Sequence, residues 1–398
     1  MKVAILSDFH LGYGRFRGDA FRQAEEALAK AAGLADAIII PGDIFDSRAP
    51  EPDVIAEAIN LFRNLARREW KARTVEFTGE GRPYTDVPVV AIPGTHERRA
   101  KDAADPVDIL GLAGLLVDIS NATAIIEADG ERLAVRGVGG IADERFRQAV
   151  AEINPVPVQG MFNIFVFHES LYELLPFSED FMRLDELPRG FDLYVCGHIH
   201  GRVEAEVHGK KLLIPGSTVL TQLKEAEQDA KGFYVFDTKS MSYEYVRINS
   251  RRFVMQRIDA GRFSGGEVIS AIEEGIEGMI GGANDRPVIR IVVEGRMPRG
   301  SSAEMELNNI PRRYEGRAVV EVSKSGITED SVRSVSAAES VVFEKMSVKD
   351  YGIGIFVEKL KQAGADTGRI GPVELLDLLG SEQSKEKVVA EALERLLA

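Results

Sequence analysis

The sequence predicts an α/β fold: a sandwich of two mixed sheets flanked by helices, then a smaller α+β module and a helical C-terminal tail. Three observations carry this. The first hundred residues alternate apolar runs with stretches of helical period. From about residue 122 the chain becomes a series of short strand-like runs. A strand–helix–strand pattern returns near residue 251.

"KVAILSD" opens as a buried strand. "DAFRQAEEALAKAAG" sets Phe21, Ala24, Ala27, Leu28 and Ala31 at helical spacing and points to Gly33 as its stop. "DAIIIPGD" is a continuous apolar strand. "PDVIAEAINLFRNLARR" follows, with Pro52 in the first turn and Val54, Ile55, Ala58, Ile59, Phe62 and Leu65 on one face; "VPVVAIPG" is the third strand. Two βαβ units imply a partly parallel sheet covered by helices. Beyond them, "TAIIEA", "RLAVRGVGG", "MFNIFVFHE", "FDLYVCGH", "RVEAEVH", "KKLLIPG", "GFYVFD" and "YEYVRI" read as strands, with one helix near Asp143 to Ala151. The expected domains are 1–250 for the sandwich and 251–325 for the α+β module, from "SRRFVMQRID" through "SGGEVISAIEEGIEGMI" and "PVIRIVVEG" to "RAVVEVSK". A Ser-rich linker at 326–348 and a tail of amphipathic helices at 349–398 complete the chain.

The 398 residues are 44% hydrophobic and 28% charged, an ordinary globular composition long enough for two or three domains. The single Cys196 excludes an internal disulfide framework and reads as a buried strand residue. No basic n-region precedes the first strand, and the apolar run "LGLAGLLV" is far shorter than the ~18 residues of a membrane span. A cytoplasmic protein without membrane association is expected. The net charge of −14 argues against broad coating of nucleic acid. The basic clusters "RREWKAR", "ERRAK" and "SRRF" read first as solvated faces.

Five of the six histidines, His10, His96, His168, His198 and His200, stand at or just past the C-terminal ends of expected strands; His208 reads as a turn residue. In an open α/β sheet that rim lines the ligand crevice. Asp8 and Asp43 share it. Strand alternation would put both side chains of Asp8-x-His10, and both of His198-x-His200, on one side. Imidazole and carboxylate without thiolate favour a first-row dication such as Mn, Fe or Zn over calcium. Two Asp and four His ligands exceed one tetrahedral site and suggest two metals sharing a carboxylate, an arrangement used for displacement at phosphorus.

Asp8-x-His10, Gly42-Asp43, Gly94-Thr95-His96-Glu97, His168 and Gly197-His198-x-His200, in that order, resemble the five motifs of the calcineurin-like metallophosphoesterase superfamily. Within it the chain most resembles the DNA double-strand-break repair nucleases of the SbcD and meiotic-recombination-eleven type. This rests on "LSDFHLG", "PGDIFDSRAPEPDVI" and the module from "RRFVMQRID" to "PVIRIVVEG", and covers most of residues 1 to 300. The resemblance implies a calcineurin-like two-sheet sandwich with a DNA-binding capping domain. It further implies two Mn2+ per subunit, the first held by Asp8, His10, Asp43 and His200, the second by the bridging Asp43, His168 and His198. His96 takes the place of the catalytic histidine facing the scissile phosphate. The activity implied is that of a 3′ to 5′ exonuclease and endonuclease in break processing. The family works as a homodimer, for which 53–65 and 106–117 are candidate contacts. It pairs with a zinc-hook, coiled-coil ABC-type ATPase, for which "YGIGIFVEKLKQ" and "VVAEALERLL" are candidate docking helices.

Two positions depart from the family pattern. Thr95 stands where relatives carry an Asn ligand of the second metal, so a looser second site is expected, with Glu97 or water as compensation. Asp46 stands where some relatives carry a second active-site histidine and is expected to orient a ligand histidine. Arg15, Arg17 and Arg48 leave metal-bearing strands in loops and are candidates for phosphate contact. Arg98, Arg99 and Lys101 follow His96 and are candidates for gripping the DNA backbone, without reading sequence and with steep salt dependence. Two other functions fit the residues: a phosphomonoesterase of the phosphoprotein phosphatase type, suggested by "GDIFDSR" with "GTHE", and a weakly active scaffold subunit tethering DNA to the ATPase.

Overall fold

The structure, a computed structural model, describes residues 1–78, 85–98, 104–175, 181–263, 265–281, 286–296 and 306–328. They fall in one compact unit, Met1–Pro176 with Asp180–Asp330; a second unit, Phe177–Glu179 with Ser331–Ala398, lies outside the described residues. Arg99, Lys101, the linker beyond Thr328 and the tail at 349–398 lie outside them too.

Strands and helices are labelled in chain order. The first sheet contains β1 (Lys2–Ile5), β2 (Ala37–Pro41), β4 (Val89–Ile92), β5 (Val117–Asp118), β12 (Gly232–Asp237) and β13 (Ser242–Arg247), in the order β13-β12-β1-β2-β4-β5. Its β1, β2, β4 and β5 are parallel, as two βαβ crossovers require, and β12 closes antiparallel onto β1. The second sheet contains β3 (Arg73–Phe77), β6 (Thr123–Ala128), β7 (Glu131–Val138), β8 (Phe162–Phe167), β9 (Leu193–Cys196), β10 (Val203–Val207) and β11 (Lys210–Ile214), in the order β10-β11-β9-β8-β7-β6-β3.

Side-chain alternation sorts the layers. Val3, Ile5, Ile39, Val90 and Ile92 meet Val135, Ile164, Val166 and Val195 between the sheets. Their sequence neighbours Ala4, Ile38, Ile40, Val89 and Ala91 pack in one cluster with residues of α1 (Arg17–Leu34), α2 (Pro52–Ala66) and α3 (Pro106–Leu112). On the far face of the second sheet, Phe165, Phe167, Tyr194 and Cys196 pack with Phe146 and Val150 of α4 (Asp143–Ile153). The result is the expected two-sheet sandwich flanked by helices.

Details differ from expectation. Helix α1 passes through Gly33 and ends where Ala35 turns extended, so Gly33 is not its stop. The apolar face of α2, with Val54, Ala58, Leu61, Phe62 and Leu65, is buried within this chain. The stretch 106–117 is not one helix: α3 ends at Leu112, and the buried Leu115 and Leu116 lead into β5. Strand β3 was unanticipated; only Thr74 in it is buried, as suits an edge strand.

A third sheet, β14 (Phe253–Asp259), β15 (Val288–Arg296) and β16 (Val319–Thr328), is all parallel, with α5 (Gly265–Ile280) and the short α6 (Ile310–Arg313) as the helices of this module. β16 runs three residues beyond the expected boundary at 325. This module, part of the same compact unit, seats Phe253 and Val288 against Phe16, Ala20, Val219, Leu220 and Leu223 of the sandwich. No helix among the described residues is long and apolar enough to cross a membrane.

Candidate metal centre

The C-terminal ends of β1, β2, β4, β8 and β9 bring the expected residues to one rim. Ligand atoms of Asp8, His10 and His200 lie within 4.8 Å of one another, as do those of Asp8, Asp43 and His168, and those of His10, Asp46 and His96. Asp8 thus belongs to two groups, where the resemblance assigns the bridging place to Asp43. His198 is absent from these groups, although its ring centroid lies 5.3 Å from that of His168.

The chain reaches this arrangement through unusual backbone. Asp8 (φ 54°), His10 (φ 47°), Asp43 (φ 50°) and His198 (φ 73°) all occupy the left-handed region. That conformation is uncommon for residues with a Cβ, and such strain concentrates at functional sites. It also replaces the alternation argument: β1 and β9 end at Ile5 and Cys196, so the D-x-H and H-x-H pairs lie beyond their strands, and left-handed backbone rather than strand alternation aims their side chains. At Gly197 a Cβ would sit 2.1 Å from the Pro41 carbonyl and 2.6 Å from His168 Nδ1, so only glycine lets the sheets close here.

Three imidazoles are oriented alike. His10 Nδ1 bonds Asp46 Oδ1 at 3.0 Å, His168 Nδ1 bonds the Pro41 carbonyl at 2.6 Å, and His200 Nδ1 bonds the Thr221 hydroxyl. With Nδ1–H donating to these acceptors, each Nε2 is left with a lone pair, the tautomer a metal ligand needs. The Nε2 atoms of His10 and His200 are 3.1 Å apart and lie 3.9 and 3.7 Å from Asp8 Oδ1. Asp8 Oδ2 and His168 Nε2 are buried without a hydrogen-bond partner, the latter 3.2 Å from Asp43 Oδ2. Buried oxygens and nitrogens left open in this way, with no thiolate among them, fit a divalent cation.

The charges agree. Burial pushes the Asp8 carboxyl up. Burial opposes charge on His168, yet the Asp43 carboxylate beside it raises the imidazole to about 10. Asp43 is held well below the usual carboxylate range: burial opposes this, but His168 and the other imidazoles outweigh it. A metal-free site therefore carries its positive charge as protons.

His198 is placed differently. Its Nδ1 is 3.0 Å from the Thr95 hydroxyl and its Nε2 is 2.9 Å from the Ser170 hydroxyl. Burial, then the nearby His168, lowers it to about 4. Thr95 therefore touches the nitrogen that would otherwise be open. Glu97 does not compensate: it is buried, and its carboxylate accepts from the Phe45 and Gly94 amides at 2.8 Å each, tying the two ligand loops together. Cys196 is buried with its thiol against the Glu169 and Gly197 carbonyls, away from any ligand role.

His96 is 45% exposed at its side chain. Its amide donates to Asp43 Oδ1 at 2.9 Å, and its Nδ1 lies 3.0 Å from the Asp46 carbonyl, which leaves Nε2 for a bound molecule. Asp46 thus orients His10 by its carboxylate and His96 by its carbonyl. Two of the arginines expected to contact phosphate have carboxylate partners here. Arg15 is paired with Glu321 at 2.8 Å, and Arg17 with Asp53 at 2.5 Å and Glu57 at 3.2 Å, so carboxylates engage both. Arg48 and Arg98 are exposed.

Sequence reasoning missed the residues behind the ligands. Ser170, Thr221, Glu227 and Lys231 are all buried or half-buried behind the ligands, and burial, then the neighbouring Asp143, drives the Glu169 carboxyl up to about 11. No motif spacing marks them.

Comparison with known proteins agrees with this geometry. The calcineurin-like phosphoesterase family matches residues 1–202. The DNA double-strand break repair protein Mre11 of Methanopyrus kandleri is 25% identical over 279 residues, 63% of this chain and 58% of that protein. Its counterpart in Archaeoglobus fulgidus is 26% identical over 285 residues, 63% of this chain and 60% of that one. In Sulfolobus acidocaldarius the figures are 23% over 318 residues, 75% and 76%. The chain thus spans about three-fifths of the length of the first two. With half of its length matched and the metal-binding rim assembled, the chain belongs to the calcineurin-like phosphoesterase family.

Proposed function

We propose that the protein is a manganese-dependent DNA nuclease that processes double-strand breaks, as exonuclease and endonuclease. The observation that carries this is the set of inward Nε2 atoms of His10, His168 and His200 around the buried Asp8 and Asp43, with the exposed His96 beside them. In this reading Asp8, His10, Asp43 and His200 hold one Mn2+, and Asp43, His168 and His198 a second, weaker one. Bound divalent cations supply Lewis acidity and positive charge for hydrolysis at phosphorus. His96 presents Nε2 to the departing oxygen and can give it a proton, while Asp46 fixes the ring from behind. Arg48 and Arg98 have exposed side chains close in sequence to this rim and serve as backbone contacts. Similarity to DNA double-strand break repair proteins supports DNA as substrate; a homodimer and an ABC-type ATPase partner bound through the tail at 349–398 complete this reading.

The contact of Thr95 with His198 favours a second reading, a feeble nuclease kept for tethering DNA to the ATPase. End-labelled duplex with Mn2+ decides between them, with wild type compared to His96→Ala. The nuclease reading expects cleavage by wild type, lost in His96→Ala while Mn2+ binding persists. Hydrolysis of a small aryl monoester without any cleavage of duplex would replace it with a phosphomonoesterase.

A further inference from the structure

Behind His200 runs a buried polar chain that ends at the smaller domain. It lies in residues 217–231, which join β11 to β12. Lys231 and Glu227 are 4% and 3% exposed and pair at 3.0 Å. The Lys231 ammonium also donates to Ser217 Oγ at 2.9 Å and to the His200 carbonyl at 3.1 Å. The Glu227 carboxylate accepts three successive amides, Thr221 at 3.0 Å, Gln222 at 2.8 Å and Leu223 at 2.7 Å, a backbone nest closed around an anion. It also accepts the Thr221 hydroxyl at 3.3 Å, and that hydroxyl takes the Nδ1 proton of His200. The path from Glu227 to the ligand ring therefore has one intermediate atom, Thr221 Oγ1.

The far end is equally defined. Leu223 closes the nest at φ 53°, an unfavourable conformation for a bulky residue, and is 1% exposed. Its side chain packs with Phe253 and Val288 of the smaller domain. Its carbonyl accepts Arg290 Nη1 of β15 at 2.9 Å. Arg290 in turn meets Glu321 of β16, which also holds Arg15. The strained turn is thus clamped from inside by Glu227 and from outside by the three-stranded domain.

We propose that Glu227 is a positioning residue for His200, and that the smaller domain sets this position through Arg290 and the Leu223 turn, so that its seating tunes metal affinity. This deepens the reading of the rim as a metal centre and rests on His200 being a ligand. A purely structural ion pair would instead lower stability without moving the ligand ring.

The test uses the full chain, stripped of metal, with two readouts: Mn2+ titration by calorimetry, and the ring nitrogen resonances of 15N-histidine, assigned with His200→Gln. Thr221→Val should weaken Mn2+ binding about 10-fold. Glu227→Gln joined to Lys231→Met, which leaves no lone buried charge, should do the same. Arg290→Met, remote from the metal, should weaken Mn2+ by about 3-fold and shift the His200 ring resonance, with partial rescue in Arg290→Lys. Unchanged affinity and an unmoved His200 resonance in Arg290→Met overturn the relay, even where melting temperature falls. If wild type bound no Mn2+, the metal reading would fail by itself. The ring resonance of the metal-free protein would then decide the relay: movement with Arg290→Met supports it, and no movement overturns it.

Discussion

The Nε2 atoms of His10 and His200 stand 3.1 Å apart, each ring held by its other nitrogen. Two lone pairs at that distance repel, so a proton or a cation must lie with them. Burial, then the charge of His10, lowers His200 to about 2, while the Asp46 hydrogen bond overcomes burial to raise His10, and His168 reaches about 10. At neutral pH the metal-free rim therefore carries protons that a dication must expel. Mn2+ binding at pH 7.5 should release at least about one proton, and affinity should tighten as pH rises toward 10. Calorimetry in buffers of different ionisation enthalpy measures this. Heats that do not depend on buffer would mean the rim is not protonated as inferred.

Asp46 gives a sharper mutational contrast. Its carboxylate fixes His10, but its carbonyl fixes His96 and survives any substitution. Asp46→Ala should weaken Mn2+ at the His10 site about 10-fold or more. Asp46→Asn keeps an acceptor for Nδ1–H and should cost much less. Equal loss in both variants would show that charge matters, not orientation.

Thr95 is the third test. Its hydroxyl lies on His198 Nδ1, and the ring's other nitrogen is held by Ser170. In the proposed two-metal reading the hydroxyl competes with a second ion for that nitrogen. Thr95→Asn should then tighten the second Mn2+ relative to wild type, and Thr95→Val should not loosen it. A loss of second-site affinity in Thr95→Val would instead make the hydroxyl a ligand.

What could be read from sequence follows from what leaves a pattern. Residues buried on one face in period, such as Val54, Ala58 and Phe62 of α2, or in a continuous apolar run buried on both faces, such as Ile38 to Ile40 of β2, announce their elements. Ligand histidines at strand ends do so by position. Strand β3 left no pattern, because its pairing with β6 buries one side chain and leaves charged residues outside. Glu227 and Lys231 lie in "LKEAEQDAKG", which looks like a solvated run, yet both are buried, with partners in the 217–231 turn and at the His200 carbonyl. The left-handed backbone at Asp8, His10 and Asp43 is set by tertiary contact and has no local signature.

Two glycines of like appearance in the sequence should respond oppositely. A Cβ at Gly197 would meet Pro41 O and His168 Nδ1, and neither backbone nor ligand ring can retreat without opening the rim. Gly197→Ala should cost about 1–3 kcal/mol and weaken Mn2+ binding. Gly33 lies inside α1 with nothing near its missing Cβ. Gly33→Ala should add about 0.5–1 kcal/mol of stability. Denaturant melts of both variants check the signs, and a neutral Gly197→Ala would mean the sheets are not pinned at that point.

Asp118, at the end of β5, offers a pH test away from the metal centre. Burial raises its carboxyl to about 7, against two hydrogen bonds to Oδ1 from Ser120, the amide at 2.8 Å and the hydroxyl at 2.6 Å. A carboxyl with a raised folded value holds its proton longer when folded. Its contribution to stability is full below about pH 4 and is lost as pH rises through about 7, where the unfolded chain has already ionised. Asp118→Asn keeps an oxygen for Ser120 and never ionises. The difference in melting temperature, variant minus wild type, should therefore grow between pH 4 and pH 7 in favour of the variant and level off above it. Taking the difference cancels the other titrating groups. A difference that stays flat across that interval would show that Asp118 is solvated enough to ionise at its ordinary value, and that β5 does not seal that end of the sheet.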